Sequence, residues 1–214
     1  MKPLADDEMI SFLDVAKGCE YELVYVTTLF TGMREGEVLG LTWDCIDIKG
    51  GTITIRQQLQ KVRATGGEYI LALTKNGKTR IIAPASYVMQ ILTNQREPQY
   101  EQRLKAGPAW SNPLNLIFTN AFGRNLCAQT VYLHFKKLAA AAGVPAARFH
   151  DLRHSYAVAA LRSGDDIKTV QENLGHHTAA FTLDTYAHVT EKMRQESARR
   201  MDRFIEGIQA AKKA

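Results

Sequence analysis

The chain has 214 residues, enough to bury a sizeable core as one large domain or two small ones. Its apolar content of 45% is ordinary for a globular protein, which argues against wholesale disorder. No apolar run approaches the roughly 18 residues that a membrane helix needs, and the net charge of +5 suits a nucleic-acid partner without requiring one.

The first residues, MKPLADDEM, hold no apolar signal-peptide core. Asp6 to Ala16 then carries Met9, Ile10, Leu13 and Ala16 at helical spacing, with acidic residues at the end that favours them. Glu20 to Phe30 is almost wholly apolar and reads as a buried helix stopped at Gly32. A short helix from Arg34 to about Leu41 follows. The period then changes. CIDI, GGTITIR, EYILAL and TRIIAP are short and β-branched, with Ile53 and Ile55 alternating with Thr52, Thr54 and Arg56. Gly50-Gly51 is a turn, Asn76-Gly77 is a two-residue hairpin signal, and Pro84 closes the last strand. Residues 45–84 are therefore expected to form one small antiparallel sheet. Helices are expected over about 85–105, 128–142, 151–163, 166–174, 178–186 and 190–211, with a polar loop, GPAWSNPLN, and a short apolar run, LIFTN, after the first. No repeat, low-complexity stretch or linker divides the chain. The fold class is mainly α with a small antiparallel sheet (α+β), in one domain covering 1–214.

Cys19, Cys45 and Cys127 are scattered and form no CxxC pair. They are expected to be reduced, mostly buried thiols in a cytoplasmic protein. His176, His177 and His188 suggest zinc at first sight. The first two are adjacent and point different ways, and no HExxH or cysteine pattern supports them, so no metal and no cofactor are expected.

Four islands could carry chemistry. In HDLRHSYA, His150 and Arg153 are three apart at a helix start, on one face beside free backbone N–H groups, an arrangement that suits a phosphate. A capped helix with surface charges is the plainer alternative. His154 lies on a neighbouring face and reads as a buried structural histidine. In TGMREGEVLGL, Arg34 opens a helix in apolar surroundings and needs an anion, either Glu37 one turn on or a ligand phosphate. Lys75 stands beside the Asn76-Gly77 turn, where it is either a solubilising charge or a group reaching a nucleic-acid groove, and Lys78 is its rival. Tyr186, late in a helix, is by itself most simply a core residue.

The order of these islands carries more than any one of them. TGMREGE, a lysine at a β-turn, HDLRH, LGHH and DTYAHV run in the order found in the catalytic domain of the tyrosine recombinases, the phage integrase family, which the chain resembles over almost its whole length. The LTW segment, Leu41 to Trp43, also matches. The resemblance implies that Arg34, Lys75, His150, Arg153, His176 and Tyr186 are catalytic, with Glu37 supporting Arg34. It implies metal-free cleavage of double-stranded DNA attachment sites through a 3′-phosphotyrosine, in a DNA-bound homotetramer. Accessory directionality factors are possible further partners, and no membrane is involved. The long hairpin region resembles integrases of phages or conjugative elements. Family members usually carry a DNA-binding domain before the catalytic one, and this chain is expected to be a catalytic part without it, monomeric in isolation. Met193, Met201, Phe204, Ile205 and Ile208 share a face of the C-terminal helix. That face packs on its own domain or, as in the family, docks on a neighbouring protomer. The rival functions are a nicking-closing topoisomerase of type IB chemistry and an inert DNA-binding module that retains the fold.

Overall fold

The computed structural model describes residues 2–62, 67–175 and 190–211. Helix α1 (Asp6–Ala16) begins where Glu8 reaches back to accept from the Ala5 N–H at 2.7 Å. Acidic residues at the third helical position do the same for α3 (Glu35–Leu39), through Glu37, and for α7 (Phe149–Ser163), through Asp151. Each removes an orphan N–H from a helix start. Helix α2 (Glu22–Thr31) is buried over most of its surface and ends at Gly32, whose φ of 66° lies in the left-handed region. A Cβ there would also stand 2.4 Å from the Tyr156 ring and 2.7 Å from Leu174, so both backbone and space demand glycine.

The strands are β1 (Ile46–Asp47), β2 (Thr52–Ile55), β3 (Gln57–Val62), β4 (Glu68–Leu73) and β5 (Arg80–Ile82). They form two antiparallel sheets rather than the single one expected: β1-β2-β5 and β3-β4. The Asn76-Gly77 pair is not the tip of a two-residue hairpin. β4 pairs with β3, from Gln57 opposite Leu73 to Val62 opposite Glu68, while β5 pairs with β2, with Ile53 opposite Ile82 and Ile55 opposite Arg80. Residues 74–79 therefore link two sheets, with Gly77 at φ 64° and its N–H donating to the Thr74 carbonyl at 2.8 Å. Strand β3 escaped the pattern because QQLQKV is polar and buries only Leu59.

The helix expected over 85–105 is two, α4 (Ser86–Asn94) and α5 (Arg96–Ala106). Pro98 in the first turn of α5 has no N–H to donate backward. Helices α6 (Ala128–Ala141), α7, α8 (Ile167–Leu174) and α9 (Thr190–Ala211) follow. α7 starts two residues before its expected position, which places His150 in its first turn. The segment expected to be helical over 178–186 lies outside the described residues. The main core centres on Phe12, Tyr25, Phe135 and Phe149, whose rings meet edge-on or tilted with centroids 5.2–6.0 Å apart. A smaller cluster of Ala157, Leu161, Val170 and Leu174 holds α8 against α7. Of the cysteines, Cys45 is buried but Cys19 and Cys127 are only half-buried. Cys127 stands at the start of α6, where its Sγ accepts from the Tyr69 hydroxyl at 3.3 Å. Among the described residues no helix is long and apolar enough to cross a membrane.

Candidate active site

The start of α3, the 74–79 loop, β5 and the C-terminal end of α8 surround a cavity of about 310 Å³, lined by Arg34, Asn76, Lys78, Arg80 and Gly175 among others. Three arginines from three different elements converge on the end of α8. Arg80 Nε donates to the Asn173 carbonyl at 2.8 Å, Arg153 Nη2 to Leu174 at 2.6 Å, and Arg34 Nη2 to Gly175 at 3.3 Å. Asn76 Nδ2 reaches the same Gly175 oxygen at 3.1 Å. The last carbonyls of a helix have no partner within it and carry the negative end of its dipole, so they attract cations. Gly175 has φ 63°, and a Cβ on it would meet the Arg80 guanidinium at 3.0 Å, so this close approach also requires glycine.

Glu37 is the anion at the centre. Its side chain is fully buried. It accepts from the Arg34 backbone N–H at 2.9 Å and from Arg34 Nη1 at 2.8 Å, and Arg80 grips both its oxygens at 3.0 and 2.6 Å. Burial alone would raise the carboxyl; the hydrogen bonds and charge of Arg80, then those of Arg34, outweigh it and hold the group down at about 2. Arg153 is 2% exposed and also donates through Nη1 to the Gly32 carbonyl at 2.5 Å, so it ties together the ends of α2 and α8. Arg34 keeps 21% of its side chain exposed, on the cavity.

His150 shares the first turn of α7 with Asp151, which is buried and bonded to Arg148. His150 is an exposed residue. Desolvation by its neighbours and the charges of Arg153 and Arg34 lower its pKa, which favours the neutral imidazole that a base must be. His154 is 2% exposed, as expected of a structural histidine, and its ring meets that of His150 edge-on with centroids 4.8 Å apart.

The structure thus brings together Arg34, Glu37, His150 and Arg153. Lys75 is exposed on the 74–79 loop and does not line the cavity, whereas Lys78 does. His176 and Tyr186, with His177 and His188, lie outside the described residues. Sequence reasoning missed Arg80 and Asn76. Arg80 had a signal: strand period places it on the same face as buried Ile82, so it had to be an inward-facing arginine in need of an anion. Among the described residues no group of histidine, cysteine and carboxylate side chains is arranged to hold a metal ion.

The sequence profile of the phage integrase family matches residues 2–193. The chain belongs to that family. A XerC-like tyrosine recombinase of Caldanaerobacter subterraneus is 29% identical over 96% of this chain and 55% of its own length. The ICEBs1 integrase of Bacillus subtilis is 24% identical over 86% of this chain and 49% of its own. The chain thus spans about half the length of these curated relatives. Among solved structures, the Tn1549 transposon integrase in complex with transposon right end DNA superposes with a TM-score of 0.76, at 22% identity over 94% of this chain and 66% of that one. The XerA recombinase superposes with a TM-score of 0.69, at 21% identity over 92% and 65%. The fold of this phage integrase family member is that of the tyrosine recombinase catalytic domain, mostly helical with small antiparallel sheets.

Proposed function

We propose that the chain is the catalytic domain of a site-specific DNA recombinase, the integrase of a phage or conjugative element, acting in the cytoplasm on double-stranded attachment sites. The observation that carries this reading is the convergence of Arg34 and Arg153 on the end of α8, with His150 one helical turn from Arg153, beside an open cavity that Arg34, Lys78 and Arg80 line, in a member of this family. A scissile phosphate entering the cavity would meet Arg34 as a donor to its non-bridging oxygens; Arg153, whose two terminal nitrogens hold the Gly32 and Leu174 carbonyls, would release one of them to become the second donor. The Tyr186 oxygen attacks phosphorus in line and its proton passes to His150. The P–O5′ bond breaks, a lysine protonates the departing 5′-oxygen, and the 3′-phosphotyrosine remains. His176 adds a hydrogen bond to the phosphate. The bond energy kept in the phosphotyrosine lets a 5′-hydroxyl from another strand reverse the step, and four protomers on two DNA sites exchange strands in this way. The exposed apolar face of α9, with Met201, Phe204, Ile205 and Ile208, suits docking on a neighbouring protomer in that assembly.

The test is a nicked suicide duplex carrying the element's attachment site, incubated with the full-length protein. A covalent protein–DNA adduct is expected, lost in Tyr186→Phe while DNA binding is retained, and recovered from native gels at the mass of a multimer. No adduct from the wild type would leave only an inert DNA-binding module. Relaxation of supercoiled plasmid with no exchange between sites would point to a topoisomerase.

The leaving oxygen needs a proton, and two lysines compete to supply it. The family pattern selects Lys75, while the cavity lining favours Lys78. A 5′-bridging phosphorothiolate leaves as a thiolate that needs no acid. With Lys75 as the acid, Lys75→Ala is expected to slow cleavage by about 10²-fold on the normal phosphate and to recover on the phosphorothiolate, with Lys78→Ala changing little on either. Recovery of Lys78→Ala alone would transfer the role to Lys78.

A further inference from the structure

Arg80 belongs to no motif by which the chain was read, yet its guanidinium is fully engaged at the centre of the site. Three of its nitrogens are committed: Nη1 and Nη2 to the two oxygens of Glu37, and Nε to the Asn173 carbonyl. Its side chain is 12% exposed, against 21% for Arg34. Its fork is committed to the carboxylate, although the residue also lines the cavity.

A carboxylate beside a phosphate-binding arginine has two opposite effects. It orients the guanidinium, and it also competes with the phosphate for the same N–H groups. Left alone with Arg34, the Glu37 carboxylate is free to rotate into a two-pronged pair with that guanidinium, which would turn the Arg34 fork inward. In the structure Arg80 already occupies both oxygens edge-on. Arg34 is left a single side-chain bond to Glu37, through Nη1, and its Nη2 makes only the 3.3 Å contact with Gly175. That second contact is the longest that the three arginines make with the end of α8, and so the one most easily exchanged for a phosphate oxygen.

We propose that Arg80 is a positioning residue for the phosphate clamp: by gripping Glu37 and the end of α8 it neutralises the carboxylate and keeps the Arg34 fork available to the scissile phosphate. The inference rests on the recombinase reading above. With three of its nitrogens committed to Glu37 and Asn173, Arg80 is expected to act on the substrate through Arg34.

That route predicts a thermodynamic cycle. Single-turnover cleavage of the suicide duplex is measured for the full-length wild type, Arg80→Met, Arg34→Ala and the double variant. Arg80→Met is expected to be about 50-fold slower than the wild type, as for a broken buried ion pair. In the Arg34→Ala background it should cost less than about threefold, because residues acting through one interaction are not additive. DNA affinity should change little. A scissile methylphosphonate, which lacks one charged non-bridging oxygen, should shrink the Arg80→Met and Arg34→Ala deficits together. Arg80→Lys, which keeps the charge without the fork, should fall between wild type and Arg80→Met. It replaces Arg80→Met in the cycle if that variant fails to fold. Losses that multiply in the double variant, or an Arg80→Met enzyme as fast as the wild type, would overturn the inference while leaving the recombinase reading intact. Absence of any wild-type adduct would overturn that reading, and the inference with it.

Discussion

Glu37→Gln is expected to lower the stability of the folded chain at neutral pH by about 3 kcal/mol and to slow DNA cleavage by about 10²-fold. The substitution keeps the shape of the side chain and removes one charge. That charge faces two guanidinium groups, and the Glu37 side chain has no contact with water that could compensate. Glutamine would also turn an amide N–H₂ toward one of the arginines that now donates to it, so at least one buried donor loses its acceptor. The pH dependence gives a second signature. The folded carboxyl sits at about 2, against an ordinary value of 4.5 in the unfolded chain. A depressed carboxyl stabilises the fold fully above its unfolded value and loses that contribution as pH falls toward the folded one. The difference in urea midpoint between wild type and Glu37→Gln should therefore be constant from pH 7 down to about 4.5 and shrink below that, toward pH 2. A midpoint difference near zero at pH 7 would mean that the three charges are far better hydrated than their burial implies.

The cost of losing Glu37 reflects how the whole site is organised. Three arginines with no single run of sequence in common are gathered by one carboxylate and by three successive carbonyls at the end of α8. The chain leaves α8 directly into the segment that holds His176 and Tyr186.

Much of this was legible in the sequence, and the exceptions share a cause. Periodicity located α1, α2, α6 and α8 to within two residues because each buries a continuous apolar stripe and ends on a cap: Gly32 for α2, Asp166 and Gly175 for α8. His150 with Arg153 and Arg34 with Glu37 are local pairs one helical turn apart that alone fit a capped helix or an ion pair; the family order of the islands singled them out. What stayed hidden is non-local. The choice of β2 over β4 as the partner of β5 depends on the depth of Ile53 and Ile82 in the core, which no local turn signal encodes. Arg80 finds its anion 43 residues away, and Asn76 its acceptor 99 residues away. A strand of polar residues such as β3 carries no period to read. The lysine question sits between the two cases: the loop was visible in the sequence, but which of its lysines faces the cavity depends on the path of residues 74–79 between the two sheets.

Arg153→Lys carries the other large expectation, a loss of about 10²–10³-fold in single-turnover cleavage, as for removal of a principal donor to a transition-state oxyanion. The usual argument that the charge is conserved fails here on geometry. Arg153 spans two helix ends with two nitrogens, Nη1 on Gly32 and Nη2 on Leu174, from a side chain that is 2% exposed. A lysine ammonium is a single point on a flexible stem. It can reach one of these carbonyls or the phosphate, but it cannot hold a plane between them. One buried carbonyl would be left without a donor, and stability is expected to fall by about 1–3 kcal/mol. The two losses have different origins and can be separated. Arg153→Ala strands both carbonyls and leaves a cavity, so its stability should fall below that of Arg153→Lys while its cleavage is no better. If Arg153→Lys instead cleaves within about fivefold of the wild type, positive charge at the end of α8 is sufficient and the forked geometry is not what the site uses.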